Sequence, residues 1–220
     1  YFDGTPLGTV GSGDAATALV LWHLNRAVLD HTGGVLFFQA SSVQLGDRAL
    51  IFTGAPGAGT STLTTALVRR GYSYVAEELA GLDVAVGRML PYPRSIALSP
   101  ASQALFPEIF PPETMPRDPE ARGRWYLDPA LIPGATIGNG GRPALVIAPR
   151  FVAGAPTRLE RVTDVDALRL LLDHTFPFAN LGARGFHALV AVVQQAPVYR
   201  LDYGDFDAAC EVVLQLVREF

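Results

Sequence analysis

The sequence predicts a mixed α/β fold in a single domain, and three observations lead to that fold class. Strand-like and helix-like patterns alternate along much of the chain, while tight turns between some strands indicate hairpins in the same sheet. At 220 residues and 49% hydrophobic content, the chain is long enough for one sizeable core and short for two. We therefore expect one domain over residues 1–220, with a helical lead-in over residues 1–34.

The first third of the chain predicts a helix, a hairpin and a strand–loop–helix unit. Asp14 is a candidate N-cap for a helix over residues 15–29. Gly46 and Asp47 predict a tight turn between two strands, and the run ALIFT after them is continuously apolar, as in a strand buried on both faces. The predicted strands cover residues 35–38, 42–45, 49–53, 72–76 and 79–86, and a second helix covers residues 62–70.

The rest of the chain predicts a long irregular stretch followed by alternating elements. Proline and glycine are frequent over residues 91–149, so we expect mostly loop there, with residues 113–141 forming a mobile flap. Ordered patterns then return. The predicted strands cover residues 144–148, 158–162 and 198–201, and the predicted helices cover residues 164–174, 183–194 and 206–220.

Composition excludes several classes of function. The formal charge of −4 provides no general basic field for nucleic acid, and no apolar run approaches the length of a membrane span. The single cysteine, Cys210, lies in a periodic helix and is interpreted as a packed apolar residue in a reducing compartment, so we expect a cytoplasmic protein. All 17 basic residues other than histidine are arginines, which rules out lysine chemistry within the chain.

The segment GAPGAGTST, between the apolar strand and the second helix, has the glycine spacing of a phosphate-binding loop. Backbone N–H groups and the positive end of a helix meet in such a loop and attract an anion, and Ser61 is placed to offer its hydroxyl to Mg²⁺. Thr60, however, stands where such loops carry a lysine. The candidate nucleotide-binding residues are Gly54, Ala55, Pro56, Gly57, Ala58, Gly59, Thr60, Ser61 and Thr62.

An acidic pair, Glu77 and Glu78, follows the next predicted strand. A carboxylate at such a strand end is typical of a metal ligand or a base in phosphoryl transfer, and we assign Glu78 with Ser61 as candidate metal ligands. Because side chains alternate along a strand, the two glutamates should diverge unless the strand ends between them. Two solvated glutamates at a strand end remain the alternative. The four histidines show no ligand spacing and are interpreted as ordinary surface or packed residues.

Several segments together resemble the HPr kinase/phosphorylase catalytic core and, more closely, the HPr-kinase-related serine kinases. The segments are FQASSVQLGDRALIFTGAPGAGTSTLTTALVRRGYSYVAEELAGL, PYPRSIAL, RLERVTDVDALRLLLDHTF and LGARGFHALVAVVQQAPVYRLDYGDFDAA. The resemblance implies an HPr kinase/PEP carboxykinase-like fold with ATP and Mg²⁺ as cofactors. It also implies phosphate contacts from the loop, metal binding by Ser61, and base or metal roles for Glu77 and Glu78. Arg94, in PYPR, lies at a family-like position and is either a site residue or a surface arginine.

Three departures from the family pattern concentrate on this site. Thr60 replaces the lysine, Glu77-Glu78 replaces a pair of aspartates, and Gln39 stands where a histidine is usual. A short neutral threonine cannot act as a cation on the phosphates, so catalysis needs a replacement charge. The candidate replacements are Arg94, the flap arginines Arg117, Arg122 and Arg124, and an arginine supplied by a partner.

Two functions therefore stand side by side. The first is an ATP-dependent phosphotransferase acting on a hydroxyl of a peptide, protein or small molecule. The second is a catalytically silent, pseudokinase-like module that binds a nucleotide, another anion or a partner. We expect neither nucleic acid nor a membrane as partner, and the hairpin near residues 35–45 offers an edge for homo-oligomer formation.

Overall fold

The computed structural model describes residues 4, 6, 8–11, 13–109 and 125–219 of the chain. Their contacts divide into two compact units. One unit combines Tyr1–Thr32 with Ala97–Tyr126, and the other, here called the core unit, combines Gly33–Ile96 with Leu127–Phe220. The expected single domain over residues 1–220 stays a prediction. Every candidate site residue that the structure describes lies in the core unit.

The described residues form six α-helices, eleven strands and one short 3-10 turn at Pro129–Leu131. The helices are α1 (Gly13–His31), α2 (Thr60–Val68), α3 (Pro100–Gln103), α4 (Asp164–Asp173), α5 (Ala183–Gln195) and α6 (Phe206–Arg218). The strands are β1 (Val35–Phe38), β2 (Ala40–Leu45), β3 (Arg48–Thr53), β4 (Ser73–Ala76), β5 (Ala80–Asp83), β6 (Arg88–Leu90), β7 (Ile96–Leu98), β8 (Trp125–Leu127), β9 (Arg142–Phe151), β10 (Arg158–Arg161) and β11 (Val198–Tyr203).

A six-stranded mixed sheet organises the core unit, in the order β10-β11-β9-β3-β2-β4. Strands β3, β9 and β11 run parallel to one another, whereas β2 is antiparallel to both β3 and β4 and β10 is antiparallel to β11. Strand β4 therefore runs in the same direction as β3. The mixed α/β fold class predicted from the sequence is confirmed, and the carboxyl ends of β3, β4, β9 and β11 meet at one edge of the sheet.

The hairpin before the glycine loop forms as predicted. Leu45 pairs with Arg48, which leaves Gly46 and Asp47 as the two turn residues, and Gly46 has the positive φ of 60° that such a turn requires. Strand β2 lies between β3 and β4, so it has no free edge for a second chain. Strand β1 lies at the end of a separate three-stranded sheet, β1-β5-β6.

Both faces of the six-stranded sheet are covered. Successive side chains of β3 point to opposite faces, and each face packs against its own core. Ala49 and Ile51 join a cluster with β1, β5 and the helices α4 and α5. Leu50 and Phe52 point to the opposite face, where α2 packs against β2, β3 and β4 and also contacts α6. A strand buried on both faces explains the continuous apolar run ALIFT.

Local signals missed the elements in the proline-rich stretch. Strands β7 and β8 and the short helix α3 form where mostly loop was predicted over residues 91–149, and β9 begins at Arg142, two residues earlier than expected. Strand β6 forms just before that stretch, where no element was predicted. Of the predicted flap, residues 113–124 lie outside the described residues. Helix α1 begins at Gly13, so Asp14 lies within the helix and the prediction that it is the N-cap was wrong. Helix α2 likewise begins two residues early, at Thr60.

Cys210 is buried in α6, with 1% of its surface exposed. Burial raises the pKa of its thiol to about 11, so the thiolate is scarce at neutral pH and the residue behaves as packed apolar volume. Within the part of the chain that the structure describes, no helix combines the length and apolar character needed to cross a membrane.

The burial of β3 gives a stability prediction. Phe52 is fully buried on the strand that leads into the glycine loop, so Phe52→Ala should lower the free energy of unfolding by about 3–5 kcal/mol. Phe186 on α5 is 43% exposed, and Phe186→Ala, the matched control, should cost less than about 1 kcal/mol. Urea denaturation of both variants measures the difference. Equal losses would contradict the placement of β3 at the centre of the core.

Candidate functional site

The glycine loop begins with a tight turn that stands clear of the sheet. The N–H of Ala58 donates to the carbonyl of Ala55 at 3.0 Å, with Pro56 and Gly57 as the two central residues. Proline at the first central position and a glycine with φ of 88° at the second are the signature of a type II turn. Ala55, Pro56 and Gly57 are exposed, so the outer rim of the loop is open to a ligand.

The loop ends at Gly59, whose φ of 101° and ψ of 11° start helix α2 without a side-chain cap. The N–H groups of the first helical turn, at Thr60 and Ser61, have no carbonyl four residues earlier to bind within the helix. They therefore present donors and the positive end of the helix dipole beside the loop. Thr60 is the first helical residue and is half-buried, and its neutral side chain adds no charge there.

A tyrosine from β11 holds the end of the loop in place. The Tyr203 hydroxyl lies against Gly59, where it occupies the space that any Cβ would need, and it donates to the carbonyl of Ala58 at 3.3 Å. Burial raises the pKa of Tyr203 to about 12, so the phenol stays a proton donor at neutral pH. Glycine at position 59 is thus required by both the backbone angle and the neighbouring ring.

On the β4 side of the loop, a hydroxyl and a carboxylate meet. Ser61 donates a short hydrogen bond from its hydroxyl to Oε1 of Glu77, which follows the last residue of β4 and is 2% exposed. The contact follows from the sheet, because β3 and β4 end at the same edge and α2 begins beside both. Hydroxyl and carboxylate oxygens are the ligand atoms that Mg²⁺ prefers.

The second glutamate turns the other way. Glu78 has a φ of 60°, the one positive value found in a described residue other than glycine, and its Oε2 lies 2.9 Å from Nη1 of Arg94. The Arg94 side chain is only 7% exposed, and Tyr74 donates from its hydroxyl to the Arg94 carbonyl at 2.7 Å. The two glutamates diverge, as expected, but not through strand alternation: β4 ends at Ala76, before both of them, and the positive φ of Glu78 turns its side chain away. Ser61 donates its hydrogen bond to Glu77, whereas the sequence paired Ser61 with Glu78.

On the β9 side, the loop borders a cleft of about 650 Å³. The outer loop, from Gly54 to Ala58, forms one wall, and the ends of β9, β10 and β11 form the other. The ionisable side chains that line the cleft are Arg150, Arg158, Glu160, His174, Arg200 and Asp202. Arg150 binds Asp202 through two hydrogen bonds of 2.8 and 2.6 Å, which hold the pKa of that carboxyl below its usual value.

These cleft arginines are the functional candidates that sequence reasoning missed. Arg158 with Glu160, and Arg200 with Asp202, are spaced two apart on neighbouring strands, so each pair lies on one face of the sheet. That alternation is visible in the sequence. The order β11-β9-β3, which brings this face beside the loop, is not, because it depends on contacts between distant segments.

The remaining predicted residues are placed as follows. Gln39 uses its backbone, donating its N–H to the carbonyl of His174 at 2.7 Å and accepting a hydrogen bond from the Thr53 hydroxyl at 3.0 Å. It ties the end of β3 to the segment after α4. His174 lines the cleft, although the sequence suggested only an ordinary histidine. The flap arginines Arg117, Arg122 and Arg124 lie outside the described residues.

The geometry defines a mixed α/β protein in which a glycine-rich loop joins a buried strand to a helix. No model of a protein family matches the sequence, and a search of curated proteins finds no match. Among solved structures, one similar chain is the HPr(Ser) kinase/phosphatase from Coxiella burnetii, with 15% sequence identity and a TM-score of 0.35. The match covers 83% of this chain and 94% of that chain. It is a distant likeness of fold.

The glycine loop gives a paired prediction. Gly57→Ala meets no atom within 4 Å and should cost only the strain of its positive φ, about 1 kcal/mol in the free energy of unfolding. Gly59→Ala adds a collision with the Tyr203 hydroxyl and should cost about 1–3 kcal/mol more. Chemical denaturation of the two variants tests the contact. A Gly59 variant no less stable than the Gly57 variant would mean that the ring does not hold the loop.

The Glu78–Arg94 pair gives an asymmetric prediction. Glu78→Gln leaves a guanidinium that is 7% exposed without its partner charge, and should lower the free energy of unfolding by about 2–3 kcal/mol. Arg94→Met leaves a glutamate that is 40% exposed and can be hydrated, so about 1 kcal/mol is expected. Denaturation curves at neutral pH compare the two variants. The reverse order of losses would show that Arg94 is not the buried partner.

Proposed function

We propose that this protein is an ATP-dependent phosphotransferase that acts on a hydroxyl group. One observation carries the proposal. The Ser61 hydroxyl meets the buried Glu77 carboxylate at the start of a helix, directly behind an open glycine loop. Phosphoryl transfer uses this combination of loop amides, a helix terminus and two oxygen ligands for a metal ion.

The residues present fit both ATP and Mg²⁺. The exposed rim of the loop and the cleft of about 650 Å³ beside it offer room for a polyphosphate. The first-turn N–H groups of α2 are donors for its oxygens. Ser61 and Glu77 would hold Mg²⁺ through the two oxygen atoms that now share a hydrogen bond.

The chain's own residues divide the chemical tasks. When bound, ATP with Mg²⁺ supplies the phosphoryl group and offsets part of its negative charge. The loop N–H groups and α2 orient the phosphates. Glu78, which is 40% exposed, is the proposed base: its carboxylate would turn from Arg94 toward the loop and accept the proton of the acceptor hydroxyl as the new P–O bond forms and the bond to the departing ADP breaks. The resemblance to HPr-kinase-related serine kinases supports a peptide, a protein or a small molecule as the source of the hydroxyl.

A second candidate is a catalytically silent module that binds a nucleotide or another anion. Two observations favour it. Thr60 contributes no cation to the loop, and Glu78 has a structural partner in Arg94, which explains its presence without a role as base. Such a protein would keep the loop and the cleft as a binding surface for a ligand or a partner.

Thr60→Lys separates the two candidates. If the chain is a working phosphotransferase, the wild-type protein hydrolyses or transfers from ATP, and adding a lysine to a site adjusted to Thr60 gives no gain. If the chain is a silenced kinase, the wild-type protein is inactive and Thr60→Lys raises ATP turnover by on the order of 10²–10³. ADP release measured with both proteins decides between them.

Glu77 provides the test of the metal site. Calorimetry should give a Kd for ATP in the micromolar range with Mg²⁺ and a weaker one without it. Glu77→Gln keeps a hydrogen-bond partner for Ser61 but removes the negative charge. The factor by which Mg²⁺ increases the affinity for ATP should therefore fall about 10- to 100-fold. Glu211→Gln, the same change on an exposed carboxylate of α6, is the control and should keep the full gain. Absence of ATP binding at millimolar concentration in the wild-type protein would reject the proposal.

A further inference from the structure

We infer that Arg200 supplies, from β11 of the same chain, the positive charge that the lysine-free loop lacks. This inference rests on the proposed function and names the residue that completes its site. The ligand it would contact is the polyphosphate of a nucleotide bound along the loop. Arg200 was not among the arginines that the sequence suggested.

The sheet places Arg200 level with the start of the loop. Arg200 pairs with Ala148 of β9, and Phe52 of β3 pairs with Ile147 of β9, so Thr53 and Ala148 occupy the next rung. Arg200 is therefore two strand spacings, about 10 Å, from the residue that precedes Gly54. The loop and β9 are in direct contact here, because a Cβ on Gly54 would lie 3.3 Å from the Pro149 carbonyl.

Arg200 also faces the loop across open space. It lines the same cleft as the loop residues Gly54 to Ala58, and its side chain is exposed. Tyr203, three residues further along β11, reaches Gly59 and Ala58 from the other face of the strand. Strand β11 thus contacts the end of the loop directly and presents Arg200 to the cleft beside it.

The charges around Arg200 leave it available. Arg150 donates two hydrogen bonds to the Asp202 carboxylate. Nη2 of Arg158 lies 3.4 Å from Oε2 of Glu160. Arg200 faces Glu160 across the strand pair but forms no ion pair with any residue that the structure describes. Three guanidinium groups against two carboxylates give the cleft a net positive charge. Arg200 is the member of this group whose charge no carboxylate neutralises at close range.

Arg94, the other candidate on the described part of the chain, is less suited to this role. Its guanidinium is 7% exposed and is paired with Glu78 on the β4 side of the loop. Reaching a phosphate would require it to leave that pair and its buried position. Arg200 needs no such rearrangement, because its exposed side chain is already in the cleft.

The test is a rescue experiment read by calorimetry. Arg200→Gln should weaken binding of ATP with Mg²⁺, and of inorganic tripolyphosphate, by about 10- to 100-fold, because a charged hydrogen-bond donor is lost. Thr60→Lys in the Arg200→Gln background should restore most of that affinity, since it returns a cation to the loop. The control is Arg161→Gln on β10, next to Glu160 but directed to the other face of the sheet, and it should bind like the wild-type protein.

Each other outcome counts against the inference. Arg200→Gln with wild-type affinity for both probes overturns it and leaves the proposed function standing. Loss of affinity that Thr60→Lys does not restore, in a variant with a normal denaturation curve, also overturns it, because Arg200 would then act elsewhere in the cleft. A wild-type protein that binds neither probe overturns both proposals. Binding of tripolyphosphate but not ATP also overturns both, because the inferred ligand is the polyphosphate of a nucleotide.

Discussion

The shared direction of β3, β4, β9 and β11 is the constraint on which the site depends. Because β2 is antiparallel to both of its neighbours and β9 and β11 are parallel to β3, four strands end at the same edge of the sheet. One end carries the glycine loop, one carries the acidic pair, and two carry the arginine cleft. Reversal of any one of these strands would move its functional residues to the opposite edge, some 15–20 Å away for a strand of five or six residues.

The loop therefore has two chemically different sides. Toward β4 it meets oxygen atoms, with the Ser61 hydroxyl and the Glu77 carboxylate in contact and Glu78 directed away to Arg94. Toward β9 and β11 it meets guanidinium groups across a cleft. The proposed phosphotransferase would use both sides, with the oxygen atoms toward a metal ion and the guanidinium groups toward the phosphates.

Local sequence signals predicted the parts of this arrangement that neighbouring residues determine. The turn at Gly46 and Asp47 and the buried strand before the loop each follow from a few adjacent residues. The partner of Ser61 and the role of β11 could not be predicted in this way, because they depend on strand order and register between segments far apart in the chain. Strands β6 to β8 were missed for a related reason, since proline and glycine lower strand propensity although pairing partners can override it.

The type II turn and the Tyr203 contact have a consequence for the way any ligand is received. Both fix the loop through bonds within the chain, since Ala58 is held by Ala55 on one side and by the phenol on the other. The backbone N–H groups of the loop are therefore already in position before a ligand binds, and binding does not have to order a flexible segment. The loss of conformational entropy on binding should be small, so that even weak individual contacts contribute to the affinity for the ligand.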